Sequence, residues 1–146
     1  MMKQRGFTMV ELMAVLVIFL LLAALAYPSL VAYVIKARRI EGQVALLETL
    51  QKQERYFSQH NTYLAFSADS GEQLFKWYSG SKPRVSAYEL RGEACPGQSI
   101  RQCIDVKAIP GTGKVDAAFA DPACETLSLN SAGQHRASGT DEKCWP

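Results

Sequence analysis

The chain has 146 residues, enough for one modest domain, and 48% of them are hydrophobic. Its formal charge is +2, from 16 basic and 14 acidic residues, and Lys3 and Arg5 carry the whole excess. From Phe7 onward the charges balance, which excludes nucleic-acid binding driven by global charge alone.

The apolar content is uneven. A basic start at Lys3 and Arg5 leads into Leu12–Ile35, 24 residues without a charge, and after Lys36 the composition becomes that of a soluble protein. At about 1.5 Å per residue a helix of this length crosses a hydrocarbon core of about 30 Å, and the basic start predicts a cytoplasmic N-terminus. A secretory signal would use Ala24–Ala26 as an A-x-A cleavage site, yet it leaves Glu11 in the apolar run without a purpose, and so does a plain anchor.

The stretch "MMKQRGFTMVEL" resembles the class III leader of the type IV pilin family: a short basic leader, Gly, Phe, then Glu five residues into the mature chain. The resemblance continues through "LMAVLVIFLLLAALAYPSLVAYVIKAR" and "ALLETLQKQERYFSQHNTY". It implies that a prepilin peptidase cuts between Gly6 and Phe7 and that Phe7 becomes the N-methylated terminus. It also implies that Glu11 attracts the Phe7 amine of a neighbouring subunit. Each of those charges is costly in an apolar bundle unless the other is present.

Pro28 lacks an amide hydrogen and is expected to kink or open the helix, and Gly42 is a second weak point. Beyond the apolar run, Tyr33, Ala37, Ile40, Val44, Leu47, Leu50 and Phe57 recur every three to four residues. They predict a stripe buried on a sheet, with Lys36, Arg39, Glu41, Gln43 and Lys52 elsewhere. Asn61-Thr62 marks the helix exit. Residues 61–84 read as a connecting loop with a short helical or extended piece around Leu74–Tyr78, in which Phe75, Trp77 and Tyr78 either plug the loop onto the sheet or stand exposed for contact.

Three strands are expected, at 85–91, 100–109 and 125–131, with a turn at 132–134 leading into a fourth segment, "HRAS". A long helix laid on an antiparallel meander is an α+β roll. The organisation read from the chain is a cleaved leader at 1–6, a transmembrane and assembly half-helix at 7–29, and an amphipathic half at 30–60. The loop at 61–84 and the sheet with its terminal loop at 85–146 complete it. The C-terminal half resembles PilE-like minor type IVa pilins, in which a cysteine-closed loop follows the sheet. On that ground Cys124–Cys144 is the favoured pair among three connectivities, leaving Cys95–Cys103 as a local loop.

"GTGK" at 111–114 fails the P-loop pattern, because Ala108 stands where a glycine is needed and Val115 where Ser or Thr is needed. His60 and His135 have no local nucleophile, so the reading is of a non-enzymatic chain without a metal or other cofactor.

The resemblance implies a minor pilin that is an inner-membrane precursor and then a surface subunit. Its partners would be other pilins, the peptidase and the assembly machinery. One alternative is a ComP-like pilin that captures DNA, and another is a pseudopilin of a type II secretion system. For DNA, Lys82, Arg84 and Arg101 are the candidate phosphate contacts and Trp77 a base-stacking platform, within a stretch from Lys76 to Lys107 that is locally basic.

Overall fold

The computed structural model describes residues 7–145, so Gly6 and the leader reading at 1–6 lie outside the described residues. The chain divides into two units, the first ending at Lys36 and the second beginning at Ala37. One helix, α1 (Met9–His60), contributes to both.

In the first unit the helix is apolar and long enough to cross a membrane, and its apolar window is wholly exposed. The helical residues run through Pro28 without interruption, where a kink or an opening was expected. Proline removes one backbone donor, that to Ala24, and one lost bond does not end a helix whose neighbouring turns stay intact. Nearby, Ser29 Oγ donates to Ala26 O at 2.8 Å.

In the second unit the helix leaves through Asn61, which takes a left-handed φ of 54° while its amide bonds to Phe57 O at 2.8 Å. Four strands follow as an antiparallel meander in the order β1 (Tyr88–Ala94), β2 (Ile104–Pro110), β3 (Leu127–Asn130) and β4 (His135–Ala137). The first strand starts later than expected because Pro83–Val85 forms a 3-10 turn. The turn between β3 and β4 closes through Gly133, whose φ is +77° and whose amide bonds to Asn130 O at 2.9 Å. The loop before β1 touches that strand at two isolated bridges, from Phe66 to Gly92 and from Tyr78 to Glu89, with turns between and after them. Phe75 is buried there, and Trp77 and Tyr78 are half-buried.

The helix face that packs into the core differs from the expected stripe. Gly42, Ala45, Leu46, Thr49 and Gln53 are buried, Leu50 and Phe57 are half-buried, and Ile40, Val44 and Leu47 stay about half exposed. Small residues decide this, because a Cβ at Gly42 would lie 2.8 Å from the ring of Tyr88, so only glycine lets that ring reach the helix backbone. Gln53 is buried without penalty because its amide donates to Leu64 O at 2.7 Å and its carbonyl accepts from Leu64 N at 3.1 Å.

Arg39 is also on the inner side. Its guanidinium donates to both carboxylate oxygens of buried Asp121 at 2.8 Å, and Tyr88 Oη donates to the same carboxylate at 2.9 Å. Burial works against the Asp121 charge, but the bonds from Arg39 and Tyr88 outweigh it and hold the carboxyl below its ordinary value. Burial, with the Asp121 charge beside it, pushes the Tyr88 phenol up. The structure pairs Cys95 with Cys103 beside the last β1–β2 partners, and Cys124 with Cys144 across the terminal loop.

Candidate assembly and nucleic-acid interface

Two regions hold the residues singled out from the sequence. At the helix start, Phe7 is 86% exposed. Thr8 N and Thr8 Oγ1 donate to the Glu11 carboxylate at 2.8 and 2.9 Å, and Glu11 N donates back to Thr8 Oγ1 at 3.2 Å. This is a capping box, in which the first free amides of the helix are satisfied by the pair three residues apart. Glu11 therefore has a partner within its own chain. The signal is readable in the sequence, since "TMVE" has the S/T-x-x-E spacing of a capping box.

The second region lies around β1 and β2. Lys82 and Arg84 line an open cleft of about 690 Å³ together with Trp77, Lys114, Asp69, Ala68 and Pro83. Arg84 Nη1 donates to Gly113 O at 3.3 Å, and Lys114 pairs with Asp69 and lies 4.0 Å from Glu89. The "GTGK" turn thus supplies a third cation to the cleft. Trp77 is tied down by its carbonyl, which accepts from Leu90 N at 2.7 Å.

Arg101 does not join this group. It sits in the loop beyond Ala94 and Ile104, whereas Lys82 and Arg84 precede Tyr88 and Lys114 follows Pro110, at the other end of the same ladder. Seven-residue strands at ~3.3 Å per residue put roughly 20 Å between the two ends.

Strand register joins Arg91 and Lys107, two cations of the locally basic stretch, to Arg136, which lies outside it. Arg91 pairs with Lys107, Lys107 with Ser128, and Ser128 with Arg136, so these four residues form one row across all four strands. Directly opposed residues share a sheet face, and neighbouring strands lie about 4.8 Å apart, so the row spans ~14 Å. Lys107 pairs with Glu93. The buried Nε of Arg91 has no hydrogen-bond partner among the described residues. Beside this row Glu93 opposes Asp105, whose carboxyl is pushed up by burial. Only the register reveals the row, because Arg136 lies in a stretch that is acidic overall.

Residues 28–128 match the family model described as "Type IV minor pilin ComP, DNA uptake sequence receptor". The chain belongs to this family of type IV minor pilins. Residues 1–27 of the pilin match the prokaryotic N-terminal methylation motif. A curated relative, the type IV major pilin protein PilA of Myxococcus xanthus, is 32% identical over 112 residues, covering 76% of this chain. The pilin spans about half the length of that relative, 47%. Among solved structures it is similar to the non-core minor pilin PilV of Neisseria meningitidis, at 21% identity and a TM-score of 0.48. That similarity covers 77% of this chain and 94% of the other.

Proposed function

We propose that this minor pilin is made as an inner-membrane precursor with a cytoplasmic N-terminus, cut by the prepilin peptidase between Gly6 and Phe7, N-methylated at Phe7 and then built into a pilus among other pilins. The observation that carries this reading is the exposed apolar helix whose one carboxylate before Lys36, Glu11, sits four residues from the future amine of Phe7. In the assembled fibre Glu11 exchanges its own Thr8 for the neighbour's amine, which offsets two charges in an apolar setting. Recovery of sheared pili tests it: Glu11→Ala is expected to be cleaved normally yet absent from the fibres. Normal incorporation of that variant refutes the docking role, and a bulky substitute at Gly6 is expected to leave the precursor uncut.

A second reading, DNA capture by the same subunit, is favoured by the description of the matched family and by the cation row Arg91–Lys107–Arg136. The family match extends far past the N-terminal signal that pilins share with secretion pseudopilins, which favours the pilus over that alternative. Arg91 and Arg136 meet phosphates along the row, while Lys82 and Arg84 do so at the cleft and Arg101 at the far end. The full chain in non-ionic micelles is expected to bind duplex DNA with an affinity that falls steeply with salt. Arg91→Glu with Arg136→Glu flattens that slope by roughly one unit per phosphate contact removed. Absence of binding at low salt ends this reading.

A further inference from the structure

We infer that the cleft beside Trp77 holds one unpaired nucleotide of a DNA strand, with the base against the indole and the phosphate between Lys82 and Arg84. The inference rests on the DNA-capture reading and adds the form of DNA to it. The cleft combines a half-buried indole with apolar walls from Ala68 and Pro83 and with the cations Lys82, Arg84 and Lys114. A flat apolar surface next to a cluster of cations suits a flat base joined to an anion. The open cleft, about 690 Å³, has room for a molecule of nucleotide size lying against its wall.

Partial burial of the indole selects the form of the ligand. Trp77 is half-buried and its ring packs edge to face with Tyr78 at 5.2 Å between centroids, so it lacks the freely exposed ring that a wedge between stacked pairs needs. In a duplex each base face is covered by its neighbour, and a ring held in a cleft wall reaches a base that has left the stack. Single strands and frayed or overhanging ends supply such bases without the cost of unstacking.

Asp69 acts here as an internal stand-in for the phosphate. Its carboxylate is 78% exposed and already engages Lys114. An exposed pair of this kind exchanges its anion at little cost. A phosphate held between Lys82 and Arg84 therefore draws Lys114 from Asp69 as a third contact, and neutralising Asp69 removes the competitor.

The test uses the full chain in non-ionic micelles with Trp145→Phe, which leaves Trp77 as the single tryptophan of the two in the sequence. Fluorescence is followed during titration with a short oligothymidylate, a blunt duplex, the same duplex carrying a single-stranded overhang, and heparin. Quenching by the single strand and the overhang, reversed by salt and absent with the blunt duplex, is the expected result. Trp77→Ala is expected to weaken single-strand binding roughly 10-fold or more while leaving blunt-duplex binding unchanged. Asp69→Asn is expected to tighten single-strand binding several-fold, a gain that a merely misfolded variant would not produce. Equal quenching by blunt duplex, or by heparin, overturns the inference. Duplex binding that ignores Trp77 leaves the wider DNA reading standing, whereas no binding of any DNA at low salt removes both.

Discussion

Asp121→Asn isolates the charge that ties the helix to the connection between β2 and β3. The substitution keeps the shape of the side chain but removes the anion that accepts two bonds from Arg39 and one from Tyr88. The Asp121 side chain is fully buried and that of Arg39 is 14% exposed. Breaking a buried pair by removing one partner costs about 3–5 kcal/mol, and the residual access of Arg39 to water sets the expectation at the low end, ~3 kcal/mol. For an ordered region of this size that loss lowers Tm by roughly 10 °C.

Acid titration supplies an independent check of the same carboxylate. The folded-state pKa of Asp121 lies below its unfolded value, so its contribution is fully present above the unfolded value, about 3.9. It is lost as pH falls from there through the folded value. Urea unfolding followed by tryptophan fluorescence, at pH 7 and at steps down to pH 2, measures both effects. The wild type should lose stability across that window, while Asp121→Asn starts lower and loses less. A variant within 0.5 kcal/mol of wild type at pH 7, with the same acid slope, refutes the role given to the pair.

Three further changes address other links in the structure. Gln53→Leu strands both the amide and the carbonyl of Leu64, and is expected to cost about 2–4 kcal/mol in urea unfolding. Gly42→Ala drives a methyl group to 2.8 Å from the Tyr88 ring. Its cost is expected at about 1–3 kcal/mol, against a gain of up to ~1 kcal/mol from helix propensity, so a net rise in Tm contradicts the close approach. Thr8→Ala removes the capping hydroxyl and is expected to lower helicity of the first turn by NMR, with a smaller loss of pilus incorporation than Glu11→Ala.

What the sequence made legible divides along physical lines. The apolar run and the helix exit at Asn61 are local patterns, so they can be read without knowing what the chain packs against. Four strands in meander order follow from alternation and turn residues in the same way. The buried helix face does not follow hydrophobicity. Close approach of Tyr88 needs Gly42, and two polar residues, Thr49 and Gln53, go inward with Ala45 and Leu46. Asp121 and Arg39 are 82 positions apart, and no local pattern links them. The candidate DNA contacts show the same limit: proximity along the chain grouped Arg101 with Lys82 and Arg84, and the length of the β1–β2 ladder separates them.

Register also gathers cations from separate strands into one row, and that arrangement has a cost that can be measured. Arg91 and Lys107 stand directly opposite each other on neighbouring strands. Like charges in that position destabilise a sheet by about 0.2–1 kcal/mol. Glu93 takes up Lys107, which leaves Arg91 with no carboxylate in salt-bridge range among the described residues and with its Nε buried and unbonded. A threonine there would relieve both penalties and suit a strand better. If Arg91 is kept for a polyanion, Arg91→Thr should raise Tm by a few degrees while weakening DNA binding and shallowing its salt slope by about one unit. If Arg91 instead serves the fold, the same variant should melt lower with its DNA affinity unchanged. Opposite signs of the two measurements support a functional cation, and a loss of stability alone rejects it.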